Sequence, residues 1–253
     1  MSPSIAEVNQ TLTGPGALFE IVETEIRGVS TRVWKNSPPS LRAVLDRSRL
    51  HGDLDFLVYE DERMSFVEHY GMAATLARRM LEDWGLRKGD RVAIAMRNYP
   101  EWSMVFWASV VVGAVAVPLN AWWKGEEFEY GLKDSGSMLV FCDAERASVL
   151  APYLDGLDLR AAVVARAAGQ PAPGFERFED VIGTPAQDAA PPDVALDPDD
   201  DATIFYTSGT TGKPKGALGS HRNVCSNLVS LAFSQARGAL RSGTPFPPPA
   251  DRP

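Results

Sequence analysis

The residues with the clearest chemical purpose lie in "YTSGTTGKPKG", Tyr206 to Gly216. Hydroxyls at Thr207, Ser208, Thr210 and Thr211 can donate to phosphate oxygens, and Lys213 and Lys215 add positive charge. Gly209, Gly212 and Gly216 lack a Cβ, so backbone N–H groups can turn inward around an anion. A polyphosphate fits this combination. The stretch is not a Walker A loop, because Gly209 and Gly212 stand too close together and Pro214, with neither hydroxyl nor N–H, follows Lys213. The competing reading is a Gly/Thr-rich connector without a ligand. The order strand, hydroxyl cluster, paired lysines, helix favours the phosphate loop.

The flanks set that order. Ile204, Phe205 and Tyr206 have the β-branched and aromatic bias of a strand, whose end Tyr206 is expected to pack. Ala217 to Leu231 read as a helix, so the loop is expected to join a strand to a helix. His221, Arg222 and Asn223 open or cap that helix in this reading, with a structural histidine.

Upstream, residues 1 to 50 read as an irregular or partly helical lead-in. Two short strands around an Asp61–Glu62 turn follow, then a helix from Val67 to Trp84. The alternation continues with strand Val92–Met96, helix Trp102–Val112, strand Ala114–Val117, helix Glu126–Lys133, strand Met138–Phe141, helix Glu145–Leu154 and strand Ala161–Ala165. Such alternation implies an α/β fold, a largely parallel sheet layered with helices, with ligands at the C-terminal ends of its strands. The proline-bearing, acidic stretch 171–201 reads as a connector between the α/β subdomain, 51–170, and the strand, loop and helix of 202–236. A Pro-rich tail, 237–253, ends the chain.

The composition narrows the function classes. Its 253 residues, 45% hydrophobic, can bury a sizeable core, and a net charge of -8 argues against nucleic-acid binding by phosphate neutralisation. Two cysteines, Cys142 and Cys225, form no disulfide framework or metal motif, which fits a reducing, cytoplasmic setting. The uncharged run between Glu101 and Lys124 could be mistaken for a membrane span, but Gly113 and Pro118 divide it into a buried helix and strand. The N-terminus has no secretory pattern.

Taken together, "YTSGTTGKPKG", "GLRKGDRVAIAMRNYPEW", "GAVAVPLNAWWKGEEFEYGLKDSG" and "MLVFCD" resemble the adenylate-forming superfamily, in this order, from about Leu50 to Leu231. The resemblance implies the front part of that superfamily's N-terminal domain. It implies an acyl-CoA synthetase-like reaction: ATP activates a carboxylate, of a fatty or related acid, as an acyl-adenylate, and coenzyme A then displaces AMP. Mg²⁺ would enter through the phosphates. Thr207, Ser208, Thr210 and Thr211 would contact the β- and γ-phosphates, with Gly209 and Gly212 allowing close approach and Gly216 counted among the binding residues. Lys215, in the final "PKG", is assigned to the departing pyrophosphate; Lys213 is a second binding lysine or a solvent-facing one. The superfamily's adenine, ribose and C-terminal lysine motifs are not located in this sequence. The chain therefore reads as an incomplete and inactive form, prone to self-association through its incomplete core. A non-catalytic nucleotide- or partner-binding module is the alternative.

Overall fold

The computed structural model describes residues 3–185, 189–208 and 212–246. The chain forms two compact units, one of residues 40–221 and one combining residues 1–39 with the chain from Arg222 onward.

The second unit contains helix α1 (Ile5–Thr13) and strands β1 (Ile21–Ile26) and β2 (Val29–Trp34). The strands pair antiparallel about a two-residue turn, Arg27–Gly28, with φ of 49° and 82°. Positive φ at both turn positions matches the right-handed twist of a tight hairpin. Phe19, Trp34 and Phe233 pack as an aromatic cluster, the last two with centroids 5.3 Å apart. The expectation of a partly helical lead-in over residues 1–50 holds for α1 and for the helix Leu41–Ser48, but the hairpin between them was not expected. Its turn signal is a single Gly28, and its strands bury little.

The larger unit begins with α2 (Leu41–Ser48), the hairpin β3 (Asp55–Tyr59) and β4 (Glu62–Ser65), and α3 (Phe66–Glu82). Ser65 and Glu68 form a capping box that fixes the start of α3. Then come β5 (Arg91–Ala95), α4 (Pro100–Val111), β6 (Val115–Pro118), α5 (Gly125–Ser135), β7 (Ser137–Asp143), α6 (Ala144–Leu150) and β8 (Ala161–Ala165). The unit ends with β9 (Phe175–Arg177), α7 (Phe178–Ile182), β10 (Asp201–Thr207) and β11 (Lys215–Ser220). Helix α8 (His221–Ser242) follows directly.

Seven strands form one sheet in the order β11-β10-β6-β5-β7-β8-β9. Every pairing is parallel except β10 with β11. The chain winds from β5 to β6 in one direction and then crosses back to β7, so the winding reverses at β5. Ala93, Val117, Val140, Cys142 and Val164 point to one face, where Phe128 and Leu132 of α5 cover them. On the other face Phe141 meets the rings of Trp84 and Phe178. The uncharged run resolves into α4 and β6, parted at Gly113. No described helix is long and apolar enough to cross a membrane.

The 171–201 stretch is more than a connector, because it contains β9 and α7. Phe175, Phe178, Val181 and Ile182 bury there, outweighing the surrounding prolines. Beyond them the chain is strapped by Arg42 to the carbonyls of Pro191 and Pro192, and by Lys88 to that of Ala195.

His69 of α3 is 1% exposed, with Nε2 3.0 Å from the Ser103 hydroxyl and its ring 4.6 Å from Phe56. Burial lowers its pKa to about 4. An unfolded chain takes up this proton below pH ~6.5 and the folded chain does not, so stability falls as pH drops from there towards the folded value. His69→Gln should reduce the difference in unfolding free energy between pH 7 and pH 4.5 by about 2 kcal/mol, measured by urea denaturation. An unchanged difference would remove His69 as a source of acid sensitivity.

Candidate phosphate-binding site

Thr203 of β10 pairs parallel with Ala116 of β6, so β10 ends at the same sheet edge as β5 and β6. The loop emerges there. β11 then returns antiparallel, with Tyr206 opposite Gly216 and Thr207 opposite Lys215. This overturns the expectation that the loop leads into a helix: it closes a hairpin, and the helix starts at His221. Lys215 to Ser220 hold two glycines, which weaken a helix, while β10 offers a row of backbone partners.

The hairpin brings Thr207 and Lys215 together at the loop's base, where the Thr207 hydroxyl donates to the Lys215 carbonyl at 3.4 Å. Thr207, Ser208, Gly212, Lys213, Lys215 and Gly216 are all exposed. Gly212 has φ of 89°, the left-handed region that glycine tolerates best. Gly209, Thr210 and Thr211 lie outside the described residues. Among the described residues, no carboxylate forms an ion pair with Lys213 or Lys215. The described part of the loop therefore presents two lysines that no described carboxylate pairs with, which suits a polyanion.

Sequence reasoning missed the anchors of this loop, which come from α5. Tyr206 does more than pack at a strand end. Its hydroxyl donates to Asp134 Oδ2 at 2.7 Å, and its ring meets Trp123 edge-on at 5.6 Å. Burial first, then the Asp134 carboxylate, raise the pKa of the Tyr206 phenol. The Tyr130 hydroxyl lies 3.2 Å from the Pro214 carbonyl and 3.4 Å from Asp134 Oδ1. Lys213 is not simply solvated, because its ammonium lies 5.2 Å from the centre of the Tyr130 ring.

Beside the loop, the C-terminal ends of β5 and β6 open onto a cleft of about 580 Å³, walled by Tyr99, Trp102 and Trp122 with Arg97 and Asn120. The Arg97 guanidinium lies over Trp122 at 4.5 Å. Parallel sheets bind ligands at this edge, where the winding reverses.

A doubly wound sheet with a cationic, hydroxyl-bearing loop at its C-terminal edge belongs to the class of open α/β folds that place ligands at that edge. Residues 45–246 match the AMP-binding enzyme family, and the chain belongs to that family. It is 31% identical over 198 residues to a 2-succinylbenzoate–CoA ligase of Bacillus velezensis, covering 76% of this chain and 35% of the relative. It is 35% identical over 178 residues to a long-chain-fatty-acid–CoA ligase of Mycobacterium tuberculosis, covering 68% of this chain and 32% of the relative. The chain thus spans about a third of these relatives. The crystal structure of an anthranilate CoA ligase in complex with anthranoyl-AMP superposes with a TM-score of 0.67 at 26% identity, covering 73% of this chain and 36% of that one. The fold is that of part of the N-terminal domain of adenylate-forming enzymes.

A Cβ on Gly216 would lie 2.7 Å from Ile204 Cγ2, across the hairpin. Gly216→Ala should cost about 1–3 kcal/mol of stability, through displacement of a half-buried branched side chain. Thermal unfolding checks this, and a wild-type melting temperature would show that the hairpin relaxes freely.

Proposed function

We propose that the chain supplies the phosphate-binding part of an ATP-dependent carboxylate-activating enzyme. A carboxylate attacks the α-phosphate of ATP, giving an acyl-adenylate and pyrophosphate; the coenzyme A thiol then attacks the acyl carbon, and AMP leaves. The observation that carries this reading is the cationic loop at the C-terminal end of β10, beside the cleft at β5 and β6. The names of the relatives above support a carboxylic acid and coenzyme A as substrates, and a fatty or related acid is our reading for this chain. A cytoplasmic setting belongs to the same proposal.

The chemical difficulty is the approach of an anion to a polyanion, which donors and cations already in place relieve. Thr207 and Ser208 offer hydroxyls to the β- and γ-phosphates, with Thr210 and Thr211 assigned the same role from sequence. Gly209, Gly212 and Gly216 admit the phosphates close to the backbone. Lys215 stabilises charge on the departing pyrophosphate, and Lys213 is a second cation for the same group. Mg²⁺ supplies further charge neutralisation when bound to the phosphates. Among the described residues, no three His, Cys, Asp or Glu side chains form a ligand set that would hold it separately. Self-association is supported by Phe205 and Leu218, 47% and 52% exposed on the edge hairpin.

Isothermal titration of ATP with Mg²⁺ tests the reading. Lys215→Ala should weaken binding about tenfold, the effect of one charge-assisted contact. An unchanged dissociation constant would remove Lys215 from the phosphates. Residues 1–253 alone are expected to release no pyrophosphate with fatty acid, ATP and Mg²⁺, because holding only the β- and γ-phosphates leaves the α-phosphate unaligned with the carboxylate. Robust turnover would refute that. Binding without turnover, even after addition of a matching downstream half, would favour the non-catalytic nucleotide-binding reading.

A further inference from the structure

We infer that Tyr130 of α5 is a positioning residue for the phosphate loop, holding Lys213 and Pro214 in place before a ligand arrives. The inference rests on the phosphate-loop reading above. Two contacts from one side chain carry it: the Tyr130 hydroxyl reaches the Pro214 carbonyl at 3.2 Å, and the Tyr130 ring faces the Lys213 ammonium at 5.2 Å. Consecutive loop residues are thus fixed by one residue that lies 84 positions away from Pro214 in the chain.

The position suits the task. Gly212, just before Lys213, is a glycine at positive φ with no Cβ to restrict its backbone, and Pro214 offers a carbonyl but no N–H. Without an outside anchor, Lys213 would have to be ordered when the ligand binds, and that ordering would subtract from affinity. Tyr130 is itself oriented by α5, where Asp134 one turn later accepts from Tyr206 and lies within 3.4 Å of the Tyr130 hydroxyl. Strand end, helix and loop limb therefore form one connected group. Lys213 becomes a prepositioned phosphate ligand rather than a solvated side chain.

The test is a double-mutant cycle on the dissociation constant of inorganic pyrophosphate, with residues 1–253 as wild type, Tyr130→Leu, Lys213→Met and the double variant. Amide exchange of Lys215 and Gly216 is followed without ligand. Tyr130→Leu should weaken pyrophosphate binding about two- to fivefold, the range of an exposed cation–π contact. The double variant should bind no more weakly than Lys213→Met, because the ring acts through the lysine. Tyr130→Leu should also speed exchange at Lys215 and Gly216 while β7 amides stay protected as in wild type. Tyr130→Phe, which keeps the ring, should recover part of the lost affinity and keep the fast exchange. Additive losses in the cycle, or wild-type affinity and exchange in Tyr130→Leu, would overturn the positioning role while leaving the phosphate loop intact. Failure of the wild type to bind pyrophosphate would overturn the phosphate-loop reading and this inference with it.

Discussion

The parallel pairing of β10 with β6 is the constraint on which the candidate site depends. It sends the chain out of the sheet at the edge where β5 and β6 open onto their cleft, one or two strand spacings away, about 5–10 Å. β9 forms the opposite edge of the sheet, four strands beyond β6. A β10 docked there would carry the same loop on the order of 20–25 Å from the cleft, with every local feature unchanged. The loop's composition decides what it can hold. The pairing decides what it can be held next to.

That pairing is secured at both ends of the hairpin. At the far end, Asp200 before β10 accepts the His221 N–H through its carbonyl at 3.1 Å, and its carboxylate pairs with Lys88 at 2.6 Å. His221 Nδ1 accepts the Leu41 N–H at 3.1 Å, which places the ring proton on Nε2 and keeps the imidazole neutral in the folded state. Burial lowers its pKa, consistent with that tautomer. At the near end, Thr207 and Tyr206 bond to the returning strand and to α5. Strain or looseness at the loop therefore has little room to spread into β10, whose Ala202 and Thr203 are buried in the sheet.

Much of this was legible in the sequence, for a definite reason. The buried parallel strands are short runs of Val, Ile and Ala between helix-length amphipathic segments, and β8 falls on the residues expected, Ala161–Ala165. The elements that escaped are those whose conformation is set by a partner distant in sequence. β9 has three residues and needs β8 beside it; β11, "KGALGS", has no strand signal apart from the row of partners on β10. Tyr130 and Asp134 lie more than 70 residues before the loop they hold, so no window around the motif could include them. One local sign was available. Asp134 stands in the last turn of α5, where the helix dipole disfavours an acid, and such a placement indicates that the carboxylate is engaged elsewhere.

That misplaced acid also explains how a lysine can be held beside a carboxylate without losing its use. Had Asp134 paired directly with Lys213, an incoming phosphate would have met a neutralised cation and a competing anion, and would have had to separate them. Instead the carboxylate accepts from the neutral phenol of Tyr206 and lies beside that of Tyr130, while the lysine rests on the Tyr130 ring. An aromatic face attracts an ammonium through its quadrupole and leaves the net charge in place. The arrangement seats Lys213 on the ring with no carboxylate ion-paired to it among the described residues. A surface ion pair would give similar order but would cancel the charge that the proposed phosphate-binding role requires.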